Sequence, residues 1–260
     1  MLSIAVPAGL LIGLLLGALG GGGSILTVPV LVYLLRQEPH AATAGSLLIV
    51  GITAAAGMIA HQRAGRVRLA PGIAFGVLGV AGSYAGTRLS SNVPPDLLLS
   101  LFAGLMLAAA AAMLRRGRET SGRRTAWQRP GASTVLRRGL KTVAAATGVG
   151  LLTGFFGVGG GFVIVPALVL VLGFDMPAAV GTSLLVIAIN SAAALAARLG
   201  SHVAIDWPLV AVFTAVALAG VLAGHRVTSR VDASRLTTAF TILLIAVAAY
   251  SLARSLPRLL

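Results

Sequence analysis

The sequence predicts an all-α polytopic membrane protein of about eight apolar segments, arranged as two homologous four-segment halves. Three observations carry that expectation. Of 260 residues, 57% are hydrophobic and only 10% are charged, with a mean hydropathy of +0.98, more apolar surface than a soluble domain of this size can hide. Apolar runs of roughly 17 to 25 residues, long enough to cross a hydrocarbon core, follow one another along the chain. The chain also repeats itself. At an offset of 137, "GLLLGALGGGG" (13–23) aligns without a gap on "GLLTGFFGVGG" (150–160), with seven identities in eleven positions. The same offset places Pro29 on Pro166, "HAATAGSLLIV" (40–50) on "PAAVGTSLLVI" (177–187), and Ser46 on Ser183. After a one-residue shift, "AGSYAGTRLS" (81–90) lies on "AGVLAGHRVT" (219–228), pairing Arg88 with Arg226. Internal repeats of this kind are the usual construction of secondary transporters.

The first unit of each half (2–35 and 140–172) reads as a membrane segment with an interruption. Its start, "MLSIAVPAGLLIGLLLGALG", has no basic n-region and no convincing cleavage site, so it is expected to be a membrane segment and not a signal peptide. At about 33 residues it would span roughly 50 Å as a straight helix, against a core of about 30 Å, so it must tilt strongly, break, or double back. Gly20, Gly21, Gly22 and Gly23, followed by Pro29, make a break the expectation, and Pro166 matches Pro29 in the second copy. Ser24 is placed as the N-cap of the resumed helix, which also carries Thr27, with the unpaired amides of its first turn facing the glycines. A helix N-terminus in mid-membrane carries about half a positive charge and suits an anion. The second copy, Gly157, Gly159, Gly160, Gly161 and Phe162, would supply a partner site. On this reading Gly22 and Gly160 lack a Cβ because one would occupy the oxyanion's space. The spaced glycines Gly9, Gly13, Gly17 and Gly21, Gly82 with Gly86, and Gly220 with Gly224 read as helix-packing ladders.

The second segments (40–60 and 177–197) carry Thr43, Ser46, Thr53, Thr182, Ser183 and Asn190, which can bond an oxyanion or a neighbouring helix. The third segments (69–91 and 204–227) end in Arg88 and Arg226, placed either to snorkel at the interface or to gate anions electrostatically. The fourth segments (96–114 and 232–254) complete repeats 1–114 and 140–260, joined by an Arg-rich linker, 115–139.

The formal charge is +14 and the pI near 12.0, yet nine of the twenty Lys and Arg lie between Arg115 and Lys141. That concentration marks the linker as cytoplasmic and argues against nucleic acid as a partner. Simple crossings by all eight segments divide Lys and Arg fifteen to five, with both termini cytoplasmic. Re-entrant hairpins in place of the first units give inverted halves, the same fifteen-to-five division, and both termini outside. Charge bias does not choose between the two.

Cysteine is absent, which excludes disulfides and thiolate chemistry. No Ser/His, paired-Asp or HExxH constellation suggests an enzyme, and no nucleotide motif is completed. His40, His61, His202 and His225 fall near segment ends without metal-ligand spacing, so neither metal nor cofactor is expected. All six carboxylates lie in or beside loops, which favours an anionic or neutral substrate, since buried cations need a counter-charge.

"GGGGSILTVPVL", "ATAGSLLIV", "GVGGGFVIVPALV" and "AAVGTSLLVIAIN" resemble the paired signature of the TauE/SafE family of membrane permeases, over nearly the whole chain. The resemblance implies a permease or exporter of sulfite, a sulfonate or a related small sulfur-containing anion in a bacterial cytoplasmic membrane. Alternating access around the two Gly-rich breaks is the expected mechanism, with an anion channel or a permease for another small organic anion as alternatives. Beyond substrate and lipid bilayer, the sequence leaves a homo-oligomer open.

Overall fold

A computed structural model describes residues 2–90, 95–119, 132–156, 161–197 and 206–259. All regular structure among them is helical: α1 (Leu2–Leu19), α2 (Gly22–Pro29) continued by a π-helical turn (Val30–Leu34), α3 (Pro39–Arg63), α4 (Leu69–Ser90), α5 (Pro95–Glu119), α6 (Ala132–Phe156), α7 (Gly161–Leu170), α8 (Met176–Ala196), α9 (Trp207–Arg230) and α10 (Ala233–Leu259). Five of them, α3, α4, α8, α9 and α10, contain stretches long and apolar enough to cross a membrane.

Glycine decides which helices meet. Gly9, Gly13 and Gly17 of α1 lie in turn against Phe213, Ala217 and Val221 of α9, while Gly220 and Gly224 of α9 admit the backbone of Leu14 and Ala18. The second such pair is α4 with α6, where Gly82 and Gly86 meet Thr147 and Leu151, and Gly150 and Gly154 meet Gly79 and Ser83. Without a hydrophobic drive between helices in lipid, dispersion between closely approached backbones holds such pairs together. α3 packs against α8 and α9, α8 also against α4, and α5 against α10.

These contacts settle helix directions. α1 and α3 both run parallel to α9, since Gly45 lies against Val210 and Gly57 against Val221. α3 is antiparallel to α8, with Gly51 on Ser191, Gly57 on Leu184 and Gly181 on His61. α8 runs parallel to α4, and α4 parallel to α6. The bundle therefore has one end where α1, α3 and α9 begin, and another, the linker end, where α3 and α9 finish. Since α1 runs toward the linker end and α3 starts at the opposite one, the segment between them must come back. Gly23 of α2 accordingly rests on Ile12 and Leu16, and Leu31 and Leu35 share a core cluster with Ala5 and Ile12.

The turn is local chemistry. Gly20 takes φ +69 and its amide donates to the Leu16 carbonyl at 2.8 Å, which ends α1 with a left-handed cap. That leaves the last carbonyls of α1 without helical partners inside an apolar bundle. Thr228 of α9 supplies them, its hydroxyl lying 3.3 Å from the Gly17 oxygen and 3.1 Å from that of Ala18, and His61 of α3 adds Nε2 at 3.0 Å from Gly17. Replacing Thr228 by Val should cost about 1 kcal/mol, a fall in Tm of roughly 2–4 °C in a detergent melt. An unchanged melt would mean that the carbonyls need no capping. Further along, Pro29 has no amide to donate, and the widened turn after it closes with Leu35 N–H donating to the Val30 carbonyl at 3.0 Å.

Exposed Tyr33, Tyr84, Trp207 and Tyr250 all lie toward the end opposite the linker, where aromatic rings suit a membrane–water interface.

Candidate functional site

The N-terminal turns of α2 and α7 meet inside the bundle. A Cβ on Gly21 would strike the Gly161 carbonyl, and one on Gly161 would strike the Ser24 hydroxyl, lying 3.0 Å from the Gly21 Cα as well. Gly20 is wedged against Ser183 and Val180 of α8 and Val165 of α7. Phe162, next to Gly161, is buried edge-on against Phe102 of α5, ring centroids 5.0 Å apart. Gly20, Gly21, Ser24, Gly161, Phe162 and Ser183 are thus one neighbourhood. Gly157, Gly159 and Gly160 lie outside the described residues.

Two expectations change. Ser24 is not the N-cap of α2: Gly21 is, with no side-chain cap, and Ser24 sits in the first turn with its hydroxyl donating to the Gly21 carbonyl at 2.7 Å. The chain turns at Gly20 and helical geometry resumes immediately, so the serine arrives too late to cap. Gly22 does not face open space either. A Cβ there would meet Leu243 Cδ2 of α10 at 2.6 Å, and Gly23 is occupied by α1, so both glycines make room for helices.

The hydroxyls are engaged along their own helices. Ser46 donates to the Thr43 carbonyl at 2.8 Å, Thr53 to that of Ile49 at 2.5 Å, Ser183 to that of Val180 at 2.8 Å, and Thr27 to that of Gly23 at 3.3 Å. Thr182 instead accepts the amide of Arg68 at 3.0 Å and anchors the α3–α4 loop. The hydroxyls of Ser46, Thr53, Ser183 and Thr27 thus spend their hydrogens on carbonyls of their own helices, whereas that of Thr182 only accepts. Asn190 lies near Gly79 of α4, its buried Oδ1 without a partner. Pro29 ends α2, and Pro166 is buried within α7. Arg88 is exposed and stacks over Tyr84 of its own helix, 5.4 Å from the ring centroid, and Arg226 is exposed on α9, both as snorkelling side chains are.

The fold joins two histidines that lie near segment ends in the sequence. His61 and His225 lie with ring centroids 4.5 Å apart in an edge-on arrangement. They come from different helices in different repeats, so no spacing along the chain announces the pair. Among the described residues, no group of three or more His, Cys, Asp and Glu could hold a metal ion.

A family model described as sulfite exporter TauE/SafE matches residues 5–251. A probable membrane transporter protein of Xylella fastidiosa is 35% identical over 258 residues, covering 98% of this chain and 96% of the relative. The probable membrane transporter proteins YdhB and YunE of Bacillus subtilis are 32% and 30% identical, covering 68% and 72% of this chain and 70% and 74% of their own lengths. No solved structure matches.

Proposed function

The chain belongs to the sulfite exporter TauE/SafE family of membrane transporters, and from that premise we propose that it carries a small sulfur-containing oxyanion through a site at the crossing of α2 and α7. The observation that carries this reading is the meeting of the two N-terminal turns at Gly21 and Gly161, with no side chain capping α2. α2 leaves that point toward one end of the bundle and α7 toward the other, so the positive ends of both helix dipoles converge on it. Among the described side chains, the carboxylates that would repel an anion are remote: Glu38, Asp175, Asp206 and Asp232 are exposed at helix ends.

The repeat fits two inverted halves, each a helical hairpin (α1–α2, α6–α7) followed by three crossing helices. In support, the pairing of α1 with α9 has its counterpart in α6 with α4, and α3 with α8 and α5 with α10 pair across the repeat. On this reading the 115–139 linker is cytoplasmic, both termini are outside, and alternating access moves hairpins against crossing helices. Because the chain lacks cysteine, single cysteines at Ser121 and Ser133 report sidedness directly. Both should resist impermeant thiol reagents in intact cells; ready labelling there would reverse the orientation.

Proteoliposomes loaded with sulfite, sulfate, thiosulfate, sulfoacetate or taurine test the transport itself. Saturable flux with trans-stimulation by at least one of these is expected. Linear flux without counterflow would make the protein a channel, and no flux of any would remove sulfur oxyanions as substrates. Neutralising each of the six carboxylates as Asn or Gln should leave flux within about twofold, because a helix-dipole anion site needs no acidic partner. A single essential carboxylate would contradict an anion carried on amides alone.

A further inference from the structure

At the linker end of the hairpin turn, three buried nitrogens from three elements are left without hydrogen-bond partners: His61 Nδ1 on α3, His225 Nδ1 on α9, and one terminal guanidinium nitrogen of Arg66 in the α3–α4 loop. The loop holds Arg66 in place. Gly65, at φ +70, ends α3 with paired bonds from the Gly65 amide to the Gln62 carbonyl and from Arg66 to His61, while the Arg68 amide is bound to Thr182. Gly181 of α8 closes the other side, 3.1 Å from the His61 Cβ by the position its own Cβ would take.

We propose that Arg66, His61 and His225 form a binding site for a small oxyanion taken up together with a proton, separate from the crossing of α2 and α7. Arg66 offers a permanent charged donor, and among the described side chains no counter-ion lies beside it. Among the described side chains, Arg66 bears on both rings, His225 on His61 and Arg226 on His225, while Asp175 and Asp232 at this end are exposed and not among the groups acting on them. Arg63 and Arg68 add to the same sign from α3 and the loop. A metal ion is disfavoured in such a field; an anion is the complement.

The proton follows from the tautomer. Nε2 of His61 lies 3.0 Å from the Gly17 carbonyl, which can only accept, so Nε2 carries hydrogen. In the neutral ring Nδ1 is then a lone pair, facing an oxyanion with nothing to donate. A proton taken from solution onto Nδ1 of His61 or His225 turns that repulsion into a charge-assisted hydrogen bond. The repeat itself does not demand this cluster. Its alignment pairs His61 with Arg198 and His225 with Thr87, so the second half carries no copy of the histidine pair.

The test uses the purified full chain in detergent, with sulfate and inorganic phosphate as probes, calorimetry in buffers of different ionisation enthalpy, and a pH series. Binding with net proton uptake is expected, weakening by up to about tenfold per pH unit as pH rises through the imidazole range. Arg66→Gln should weaken that component at least tenfold, and His225→Gln should reduce its proton uptake. Arg66→Lys, which keeps the charge, should retain most of the affinity. His61 is left intact because it also holds α1. Melting curves without anion verify that the variants fold; should Arg66→Gln fail, His225→Gln and Arg66→Lys still decide. Wild-type-like proton-linked binding in the variants, or binding without proton uptake, would overturn the proposal. A central transport site alone would show as flux and binding indifferent to Arg66 and His225; failure of that site would instead abolish flux and leave the proton-linked binding in place.

Discussion

Alanine at Gly21 is expected to abolish transport, by far the largest effect on function of any single methyl group in this chain. Its Cβ would be driven into the Gly161 carbonyl, a backbone atom of the other repeat that no rotamer change can move. The turns at the crossing must separate or rotate, and the amide geometry proposed to hold the anion is lost with them. Overpacking of this kind costs about 1–3 kcal/mol and sometimes more, and here it falls where function needs a particular backbone arrangement. Flux in proteoliposomes should drop at least tenfold, with a smaller relative change in the detergent melt. Gly22→Ala is the matched control. Its new methyl meets only the end of the Leu243 side chain, at 2.6 Å, which can swing aside. Gly22→Ala should retain most of the flux, and a Gly21→Ala protein that transports normally would remove the crossing from the mechanism.

The largest effect on stability is expected at the glycines between α1 and α9 and between α4 and α6. Alanine at Gly13, Gly17, Gly86 or Gly154 places a methyl group on the backbone of the partner helix, at Ala217, Val221, Leu151 and Ser83 respectively. Each helix pair must then move apart and forfeit the close contact along its length, a loss of roughly 3 kcal/mol or more per site and a fall in Tm of about 6–12 °C. Gly104 and Gly148 are also helical but have nothing within 4 Å of an added Cβ. Alanine there should be neutral or stabilising by up to about 1 kcal/mol, through helix propensity alone. Equal effects at the two groups of positions would mean that close helix approach contributes nothing to stability.

The glycines of this chain differ in how far their roles follow from the linear pattern. The ladders at Gly9, Gly13 and Gly17, and at Gly82 and Gly86, were legible because packing in lipid selects small residues every four positions, a period the sequence displays. Within the run Gly20–Gly23, the sequence does not tell one residue from another. Four consecutive glycines look alike in sequence, whereas in the fold Gly20 supplies a positive φ, Gly21 meets α7, Gly22 makes room for α10, and Gly23 makes room for α1. The tasks of Gly21 and Gly22 are set by Gly161 and Leu243, more than a hundred residues away, of which a local pattern carries no trace. Ser24 fits a capping pattern by type and position, yet the turn is completed at Gly20 by glycine's own conformational freedom, and the serine falls inside the helix.

By itself the sequence determined the membrane class, the helical composition and the family resemblance, because each follows from hydropathy, periodicity or motif along the chain. Only the tertiary structure shows α2 lying back along α1, with Gly23 against Ile12 and Leu16, since helix direction is visible only in which residues touch. Only the tertiary structure, likewise, brought His61, His225 and Arg66 together and left their nitrogens unpartnered. Residues with no mutual spacing become neighbours when α3 and α9 run parallel and finish at the same end, so that the chemistry of that end is a property of the packing and not of any one segment.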